Sequence, residues 1–359
     1  MAGWRAALET FLVGEWAGGG VAQCLLRPLS WLYAGVLWQR RMATGSVRPA
    51  DTSGTRLRAP LVVVGNLTVG GSGKTPCVMA LAQALAARGW HPGIVSRGYA
   101  GRGLVEPVLP ESRSAEVGDE PLLMARSTGL PVWVGRDRLA AARALLAAHA
   151  EVDVLLSDDG LQHQPLPRDV EVVVVDARRG FGNRRLLPAG PLREPLARLA
   201  TVDQLWVCGD GPMPRSLPSG LATASPVRIT LELAADARSL AHPGEVRPLS
   251  SFAGAHVVAL AGIAAPQRFF DMLAAAGIAA TPEPWSDHQA FAAGDLQHLR
   301  DRTVLMTGKD AVKCESFAAA GWWVVSLEVA IPAGAVDAIE QRLRRAARGA
   351  AAVPPPRRT

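Results

Sequence analysis

The chain has 359 residues, of which 49% are hydrophobic and 19% are charged. This composition can bury enough apolar surface to fold, which excludes a disordered protein, and 36 glycines without a G-X-Y repeat exclude a collagen-like one. The 38 basic and 32 acidic side chains leave a formal charge of +6, which suits anionic partners without choosing among nucleotides, nucleic acid and acidic lipids.

The N-terminal segment, residues 1–48, is rich in large apolar side chains. Four of the ten tryptophans fall in its first forty residues. Its apolar stretch from Cys24 to Trp38 is interrupted by Arg27 and Pro28 and is shorter than the roughly 20 residues that a bilayer requires. Because tryptophan and arginine favour the membrane interface, we predict amphipathic helices that associate with a membrane. The alternative is a pair of helices that packs on the core of the following domain.

From residue 49 onward, short β-branched runs alternate with segments of helical character. Such alternation predicts an α/β fold with a mostly parallel sheet covered by helices on both faces. We assign this pattern to a larger core domain, residues 49–222. Its predicted strands and helices are 61–64, 78–88 (helix), 93–95, 120–127 (helix), 132–134, 138–150 (helix), 152–156, 170–175 and 204–207.

A second alternation follows a Pro/Gly/Ser-rich stretch and predicts a smaller α/β domain, residues 223–345. The predicted strands 227–233 and 324–330 bracket this domain, so we expect them to pair as an antiparallel, two-stranded hinge. Residues 346–359 are predicted to be a polar tail. The remaining predicted elements are a strand at 257–261, a helix at 266–276, strands at 303–306 and 323–329, and a helix at 333–347.

The strongest motif lies between the first predicted strand and the first predicted helix of the core domain. The pattern G-x-x-x-x-G-K-[ST] in that setting is a P-loop, whose backbone N–H groups and helix N-terminus bind phosphates. Thr68 stands where the first glycine belongs. Lys74 would add positive charge to the phosphates, and the Thr75 hydroxyl would bind Mg²⁺. The predicted nucleotide-binding residues are Thr68, Val69, Gly70, Gly71, Ser72, Gly73, Lys74 and Thr75.

Two adjacent carboxylates, Asp158 and Asp159, follow the predicted strand 152–156. Neighbouring carboxylates at a strand end are costly unless a cation lies beside them. With Thr75 they are the predicted Mg²⁺ site, and the alternative is a solvated turn. Asp176, after the next strand, is a weaker candidate for the same role.

An ordered set of segments resembles the tetraacyldisaccharide 4′-kinase (lipid A 4′-kinase) family, which also has threonine at the first P-loop position. The set extends from near the N-terminus to past residue 313. Gly308 departs from the family, which usually has glutamate there. The matching segments are Gly65–Pro76, Ser96–Tyr99, Gly118–Pro121, Asp158–His163, Gly182-Asn183, Leu187–Pro195, Asp287-His288 and Thr307–Lys313.

The resemblance implies a fold similar to P-loop kinases, with a P-loop NTPase-type sheet. It implies an enzyme that uses ATP and Mg²⁺ to phosphorylate the 4′-hydroxyl of a membrane-embedded tetraacyldisaccharide 1-phosphate, which forms lipid IVA. The reaction would take place at the cytoplasmic face of the inner membrane. The protein would be a peripheral or monotopic monomer, with its first helix at that membrane.

The resemblance also implies catalytic roles for Asp119, His288, Arg193 and Lys74. Asp119 would be the base, paired with His288, and Arg193 would stabilise the transferring phosphoryl group. The residues alone leave other readings open. Asp119 would stabilise a helix dipole, His288 would be structural, and Arg193 would pair with Glu194 or another acid.

Two polar residues, Gln162 and His163, follow the acidic pair closely. They would either orient the acidic pair or cap the turn after it.

A nucleotide switch or assembly ATPase or GTPase is the alternative function, but Thr307-Gly308-Lys309-Asp310 lacks the spacing of the guanine-specific motif [N/T]-K-x-D. Nothing in the sequence forms an aromatic-basic platform, so we expect no nucleic-acid partner.

Overall fold

A computed structural model describes residues 14, 16, 21–44, 56–213, 226–287 and 289–351. These residues form a mixed α/β structure, as the sequence predicts. Its strands are β1 (Leu61–Gly65), β2 (Pro92–Ser96), β3 (Glu106–Pro107), β4 (Val132–Val134), β5 (Val154–Asp158), β6 (Val170–Asp176), β7 (Gln204–Cys208), β8 (Val227–Ser239), β9 (Val246–Pro248), β10 (Val257–Ala261), β11 (Ala280–Pro284), β12 (Thr303–Thr307) and β13 (Trp322–Ala330). Its helices are α1 (Val21–Thr44), α2 (Lys74–Ala86), α3 (Ser114–Val117), α4 (Asp119–Thr128), α5 (Arg138–Ala148), α6 (Pro266–Ala275), α7 (Gly308–Cys314) and α8 (Ala333–Ala351).

The chain divides into two compact units. The first unit comprises Met1–Arg97, Asp137–Thr230 and Ile331–Thr359, and the second comprises Gly98–Arg136 and Leu231–Ala330. The chain therefore passes between the units four times: after Arg97, after Arg136, within β8 and at the end of β13.

These units differ from the predicted domains in two places. Residues 98–136, predicted in the larger domain, belong to the second unit because α4 packs on α7. Residues 331–345, predicted in the smaller domain, belong to the first unit because α8 packs on α2 and β6. Helix α8 also continues to Ala351, into the predicted tail. Residues 45–55, and residues 352–359 of the predicted tail, lie outside the described residues.

The core of the first unit is a parallel sheet in the order β7-β6-β1-β5-β2, with the start of β8 parallel to β7. Every residue of β1, β5 and β6 is buried, which explains why these strands are apolar runs without polar alternation. Val64 of β1 lies in register with Asp158 of β5. The carboxyl ends of these two central strands therefore form one edge, where ligands bind in open α/β sheets.

The second unit has its own parallel sheet. Its strands run in the order β11-β10-β12-β13, with β8 beside β13 and β9 antiparallel to β8. The sequence analysis did not include β11 as a strand, because three of its five residues are exposed. One apolar cluster contains Phe252, Leu273 and Trp323, and the other contains Phe291, Met306 and Trp322.

Helix α1 attaches to the first unit along one face. The Ser30 hydroxyl donates to the Leu186 carbonyl oxygen at 2.9 Å and accepts from the Ala189 N–H at 3.0 Å. The Tyr33 hydroxyl donates to the Arg193 carbonyl oxygen at 3.0 Å. The remaining face is apolar and exposed. Its residues are Leu25, Leu29, Trp31, Leu32, Val36, Trp38 and Met42.

Helix α1 therefore packs on the first unit, as the alternative expects, and also exposes apolar side chains. Its association with a membrane stays a prediction. Within the described ranges, no helix is both long enough and apolar enough to cross a membrane.

Candidate active site

The P-loop follows β1 and ends at Thr75, the second residue of α2. Gly70 and Gly73 have φ values of 92° and 80°, a left-handed conformation that favours glycine. Gly73 is the N-cap of α2 and makes no side-chain hydrogen bond to the helix. The loop therefore presents backbone N–H groups at a helix N-terminus, which is a suitable site for an anion.

A second segment, residues 186–193, holds the P-loop from the side. The Val69 N–H donates to the Pro191 carbonyl oxygen at 2.9 Å, and the Arg193 N–H donates to the Leu67 carbonyl oxygen at 2.7 Å. These backbone hydrogen bonds place Arg193 beside the loop, although it is more than a hundred residues away in sequence.

The structure brings five predicted site residues together, and we call them the P-loop edge: Lys74, Thr75, Asp158, Asp159 and Arg193. The Thr75 hydroxyl donates to Asp158 Oδ2 at 3.4 Å. Lys74 Nζ lies 3.6 Å from Asp159 Oδ1. Arg193 Nη1 donates to both oxygens of Asp159, at 3.0 and 3.3 Å. Arg193 therefore forms its ion pair with Asp159 and not with Glu194, which were the two kinds of partner expected from the sequence.

Asp159 is held in a strained backbone conformation among cations. Its φ of 48° is unusual for a residue other than glycine and turns the chain sharply after β5. Burial raises the pKa of the Asp159 carboxyl, but the charges of Lys74 and Arg193 outweigh burial and lower that pKa below its usual value. The carboxylate is therefore ionised at neutral pH.

Arg138 is a residue of this site that the sequence analysis missed. Its Nη2 donates to the Asp159 carbonyl oxygen at 2.9 Å. Burial lowers the pKa of Arg138, against the raising effect of Asp159 and Asp158. The sequence around it signals only a helix start, because Asp137 caps α5 through the N–H groups of the first turn.

The P-loop edge fits a Mg²⁺ ion bound together with a phosphate ligand. A hydroxyl and two carboxylates are the hard oxygen donors that this ion prefers. The Ser72 hydroxyl is buried and has no hydrogen-bond partner within the described residues, as expected of a group that meets a polar ligand. Within the described residues, no group of three or more histidine, cysteine, aspartate or glutamate side chains could hold a metal ion.

The other residues predicted near the acidic pair have different partners. Gln162 donates to the Asn66 carbonyl oxygen at 3.0 Å and to Glu194 at 3.1 Å. His163 lies 3.8 Å from Asp137, and burial lowers its pKa. Asp176 accepts hydrogen bonds from two backbone N–H groups of the turn after β6, both at 2.9 Å.

Asp119, in the second unit, is the first residue of α4 and is 5% exposed. Its Oδ1 accepts from the Glu120 N–H at 3.0 Å, and its Oδ2 lies 3.8 Å from Lys309 Nζ. His288 lies outside the described residues. The preceding residue, Asp287, contacts Lys309 Nζ at 3.0 Å. We call Asp119, Glu120, Asp287 and Lys309 the acidic cluster.

The site has a glycine-rich loop between a buried strand and a helix, with lysine and threonine at the start of that helix. An aspartate lies at the end of the neighbouring strand of the sheet. Together these features define a P-loop nucleotide-binding protein. Comparison with known proteins narrows this class. The family model for tetraacyldisaccharide-1-P 4′-kinase matches residues 22–344. The tetraacyldisaccharide 4′-kinase of Azoarcus sp. (strain BH72) is 47% identical over 96% of this chain and 98% of its own length. The enzyme of the same name from Methylobacillus flagellatus is 42% identical over 94% of this chain and 97% of its own length.

A solved structure agrees with these relatives. It is that of LpxK from Aquifex aeolicus in complex with ATP, with a TM-score of 0.69, 25% identity, and coverage of 90% of this chain and all of that one. The chain belongs to the tetraacyldisaccharide 4′-kinase family. The predicted family and the predicted fold are confirmed, and the alternative of a nucleotide switch or assembly ATPase or GTPase is set aside.

Proposed function

We propose that this protein transfers the γ-phosphate of ATP to the 4′-hydroxyl of a tetraacyldisaccharide 1-phosphate and forms lipid IVA. Membership of the kinase family supports the reaction. The observation that carries the proposal is the P-loop edge, where Lys74 and Arg193 contact the ionised carboxylate of Asp159 beside the start of α2. Phosphoryl transfer requires positioning and charge neutralisation, and this arrangement supplies both.

Each residue of the P-loop edge has a proposed role. Lys74 and the backbone N–H groups of residues 68–75 hold the phosphates of ATP. Arg193 changes its partner from Asp159 to the transferring phosphoryl group, which its planar guanidinium can bind through two N–H groups. Thr75, Asp158 and Asp159 would hold Mg²⁺. When bound, the ion would neutralise charge on the phosphate oxygens.

Asp119 is the proposed base. It would accept the proton of the 4′-hydroxyl as that oxygen attacks phosphorus, with His288 as its partner. Its burial and the nearby ammonium of Lys309 support this role, since a carboxylate at a merely capping position would be solvated.

We also propose that the protein acts as a monomer at the cytoplasmic face of the inner membrane, bound to its surface through α1. The exposed apolar face of α1 supports this placement, because leucine and tryptophan side chains enter the interfacial region of a bilayer. The acyl chains of the substrate confine it to the same layer.

The experiment that tests the proposed function is ATP turnover with and without the acylated disaccharide 1-phosphate in detergent micelles. Turnover that depends on the lipid, with one phosphate added per ATP consumed, supports the proposal. Hydrolysis of ATP at the same rate without the lipid contradicts it. A disaccharide with a blocked 4′-hydroxyl is the matched control and should give no product.

A further inference from the structure

Lys309 is held in place by a rigid frame at the start of α7. Thr307 caps this helix, and its hydroxyl donates to Asp310 Oδ2 at 2.7 Å. Asp310 is fully buried and also accepts from the Gly262 N–H at 3.0 Å. A cation in the first turn of a helix opposes the helix dipole, so the helix itself gains nothing from Lys309. Its position therefore calls for another explanation.

The Lys309 ammonium lies among three carboxylates from two other segments. Its Nζ is 2.9 Å from Glu120 Oε1, 3.0 Å from Asp287 Oδ1 and 3.8 Å from Asp119 Oδ2, and the side chain is 13% exposed. Burial lowers the pKa of Lys309, but the charges of the three carboxylates outweigh burial and raise that pKa above its usual value. Lys309 is therefore a cation at neutral pH.

Gly308 lies where α7 packs on α4, which carries Asp119 and Glu120. A Cβ atom at residue 308 would lie 2.9 Å from Leu123 Cδ1, the end of a flexible side chain that would have to shift. The departure of this chain from the family at residue 308 thus occurs at the contact that brings Lys309 to Asp119.

The other charged groups of these elements are already paired. Lys313 Nζ contacts Asp310 at 2.9 Å on α7 itself. Arg126 of α4 forms an ion pair with Glu315. Lys309 is therefore a cation that Asp119, Glu120 and Asp287 share.

We propose that Lys309 is a positioning residue for phosphoryl transfer, and that its ammonium keeps the Asp119 carboxylate ionised and oriented beside two other carboxylates. The inference rests on the proposed function, in which Asp119 accepts the proton of the sugar hydroxyl. Without the ammonium, three neighbouring carboxylates, of which Asp119 is buried, would repel one another, and a proton would bind to one of them. A protonated Asp119 cannot accept another proton.

The first test compares Lys309→Met with Lys309→Arg over a range of pH, with kcat and both KM values measured in lipid micelles. K309M should lower kcat at neutral pH by about 10- to 100-fold, move the acidic limb of the kcat profile to higher pH, and leave KM for ATP within about twofold. K309R retains the charge and should recover most of kcat with the limb at its original pH. A K309M enzyme with the wild-type kcat and limb overturns the inference.

Two further variants separate a positioning role from a structural one. Lys313→Met removes a buried cation from the same helix, so it should lower Tm while the acidic limb stays in place. Glu120→Gln removes one of the carboxylates beside Asp119 and should move the acidic limb of the kcat profile to lower pH. This variant keeps the inference testable if K309M does not fold. A shift in K313M equal to that in K309M, or no shift in E120Q, contradicts it.

The double variant K309M/D119N distinguishes failure of the inference from failure of the proposed function. If Lys309 acts through Asp119, K309M should change kcat by less than about twofold once Asp119 is an asparagine. A full additional loss overturns the inference and leaves the base assignment intact. Wild-type turnover in D119N alone overturns the base assignment, and the inference with it.

Discussion

The P-loop edge of the first unit and the acidic cluster of the second unit differ in the sign of their charge. At the P-loop edge, the cations Lys74 and Arg193 contact the Asp159 carboxylate, and the neighbouring Arg138 donates to the Asp159 carbonyl oxygen. In the acidic cluster, the described residues place one ammonium among three carboxylates. The first balance suits the binding of polyanionic phosphates, and the second suits the acceptance of a proton. In the proposed function, the P-loop edge binds the phosphates and Asp119 of the acidic cluster accepts the proton.

The largest expected effect comes from the first region. Lys74→Ala should nearly abolish transfer while the protein stays folded, because the variant loses charge stabilisation of the phosphates rather than packing. Turnover with saturating lipid is the measurement. The control is Arg88→Ala, which should retain activity. Arg88 lies just after α2, and its substitution breaks an ion pair with Asp337. Wild-type kcat in K74A would contradict the assignment of the P-loop.

The second region should respond differently. Asp119→Asn should lower kcat by about 10²- to 10⁴-fold while ATP affinity changes little, since a base acts on the acceptor and not on the nucleotide. Turnover and nucleotide binding are measured separately. Asp137→Asn is the matched control, because Asp137 caps α5 and asparagine also caps a helix well. Unchanged turnover in D119N would return Asp119 to a dipole-stabilising role.

A smaller effect is expected from the exposed face of α1, which belongs to neither region. Leu29→Glu with Leu32→Glu should move the protein from the membrane fraction to the soluble fraction and weaken lipid turnover more than nucleotide binding. Flotation with anionic vesicles measures the binding. Val246→Glu, at an exposed apolar residue outside α1, is the control. Equal flotation of both variants would show that the α1 face does not bind the membrane.

These substitutions are a sharper test than deletion of residues 1–41. The deletion should also release the protein from the membrane. However, it removes Ser30 and Tyr33, whose hydrogen bonds attach α1 to residues 186–193. A loss of activity in the truncated protein would therefore combine membrane binding with a disturbed Arg193.

The smallest effect concerns the stability of the P-loop edge. Lys74 and Arg193 lower the pKa of Asp159 in the folded state. The ionised carboxylate therefore stabilises the fold at pH values above its pKa in the unfolded chain. This stabilisation is lost as the pH falls through its lower pKa in the folded protein. Asp159→Asn should therefore reduce the free energy of unfolding at neutral pH by roughly 1 kcal/mol, and by less in acid. Urea unfolding over a range of pH measures this difference. If the difference in unfolding free energy between the wild type and D159N grew in acid, the lowered pKa of Asp159 would be contradicted.

The proposed pairing of Asp119 with His288 remains a prediction. The predicted domains place Asp119 in the larger one and His288 in the smaller one, so the predicted hinge would let nucleotide binding close the domains and shorten the distance between the two side chains. The two compact units change this expectation. Residues 98–136 and 231–330 belong to one unit. Movement of one unit against the other therefore no longer provides a reason for the Asp119–His288 distance to change when nucleotide binds.

The sequence by itself determined the features that depend on local backbone preferences. The strands β10 and β4 have the predicted bounds, and most of the other predicted elements differ from the observed ones by a few residues. The P-loop and the acidic pair of residues 158 and 159 follow from the order of strand, glycine-rich turn and helix. In such motifs neighbouring residues determine the dihedral angles, so the pattern is legible before any tertiary contact is known.

Only the tertiary structure decided which distant charges share a site and which segments form a unit. Lys309 and Glu120 are 189 positions apart, and their contact depends on the packing of α7 on α4. Arg138 begins its helix like any other arginine after an N-cap, and its contact with Asp159 arises because the chain turns back after β5. A side chain's type and its neighbours in sequence do not encode such contacts, since they arise from burial of apolar faces elsewhere in the molecule.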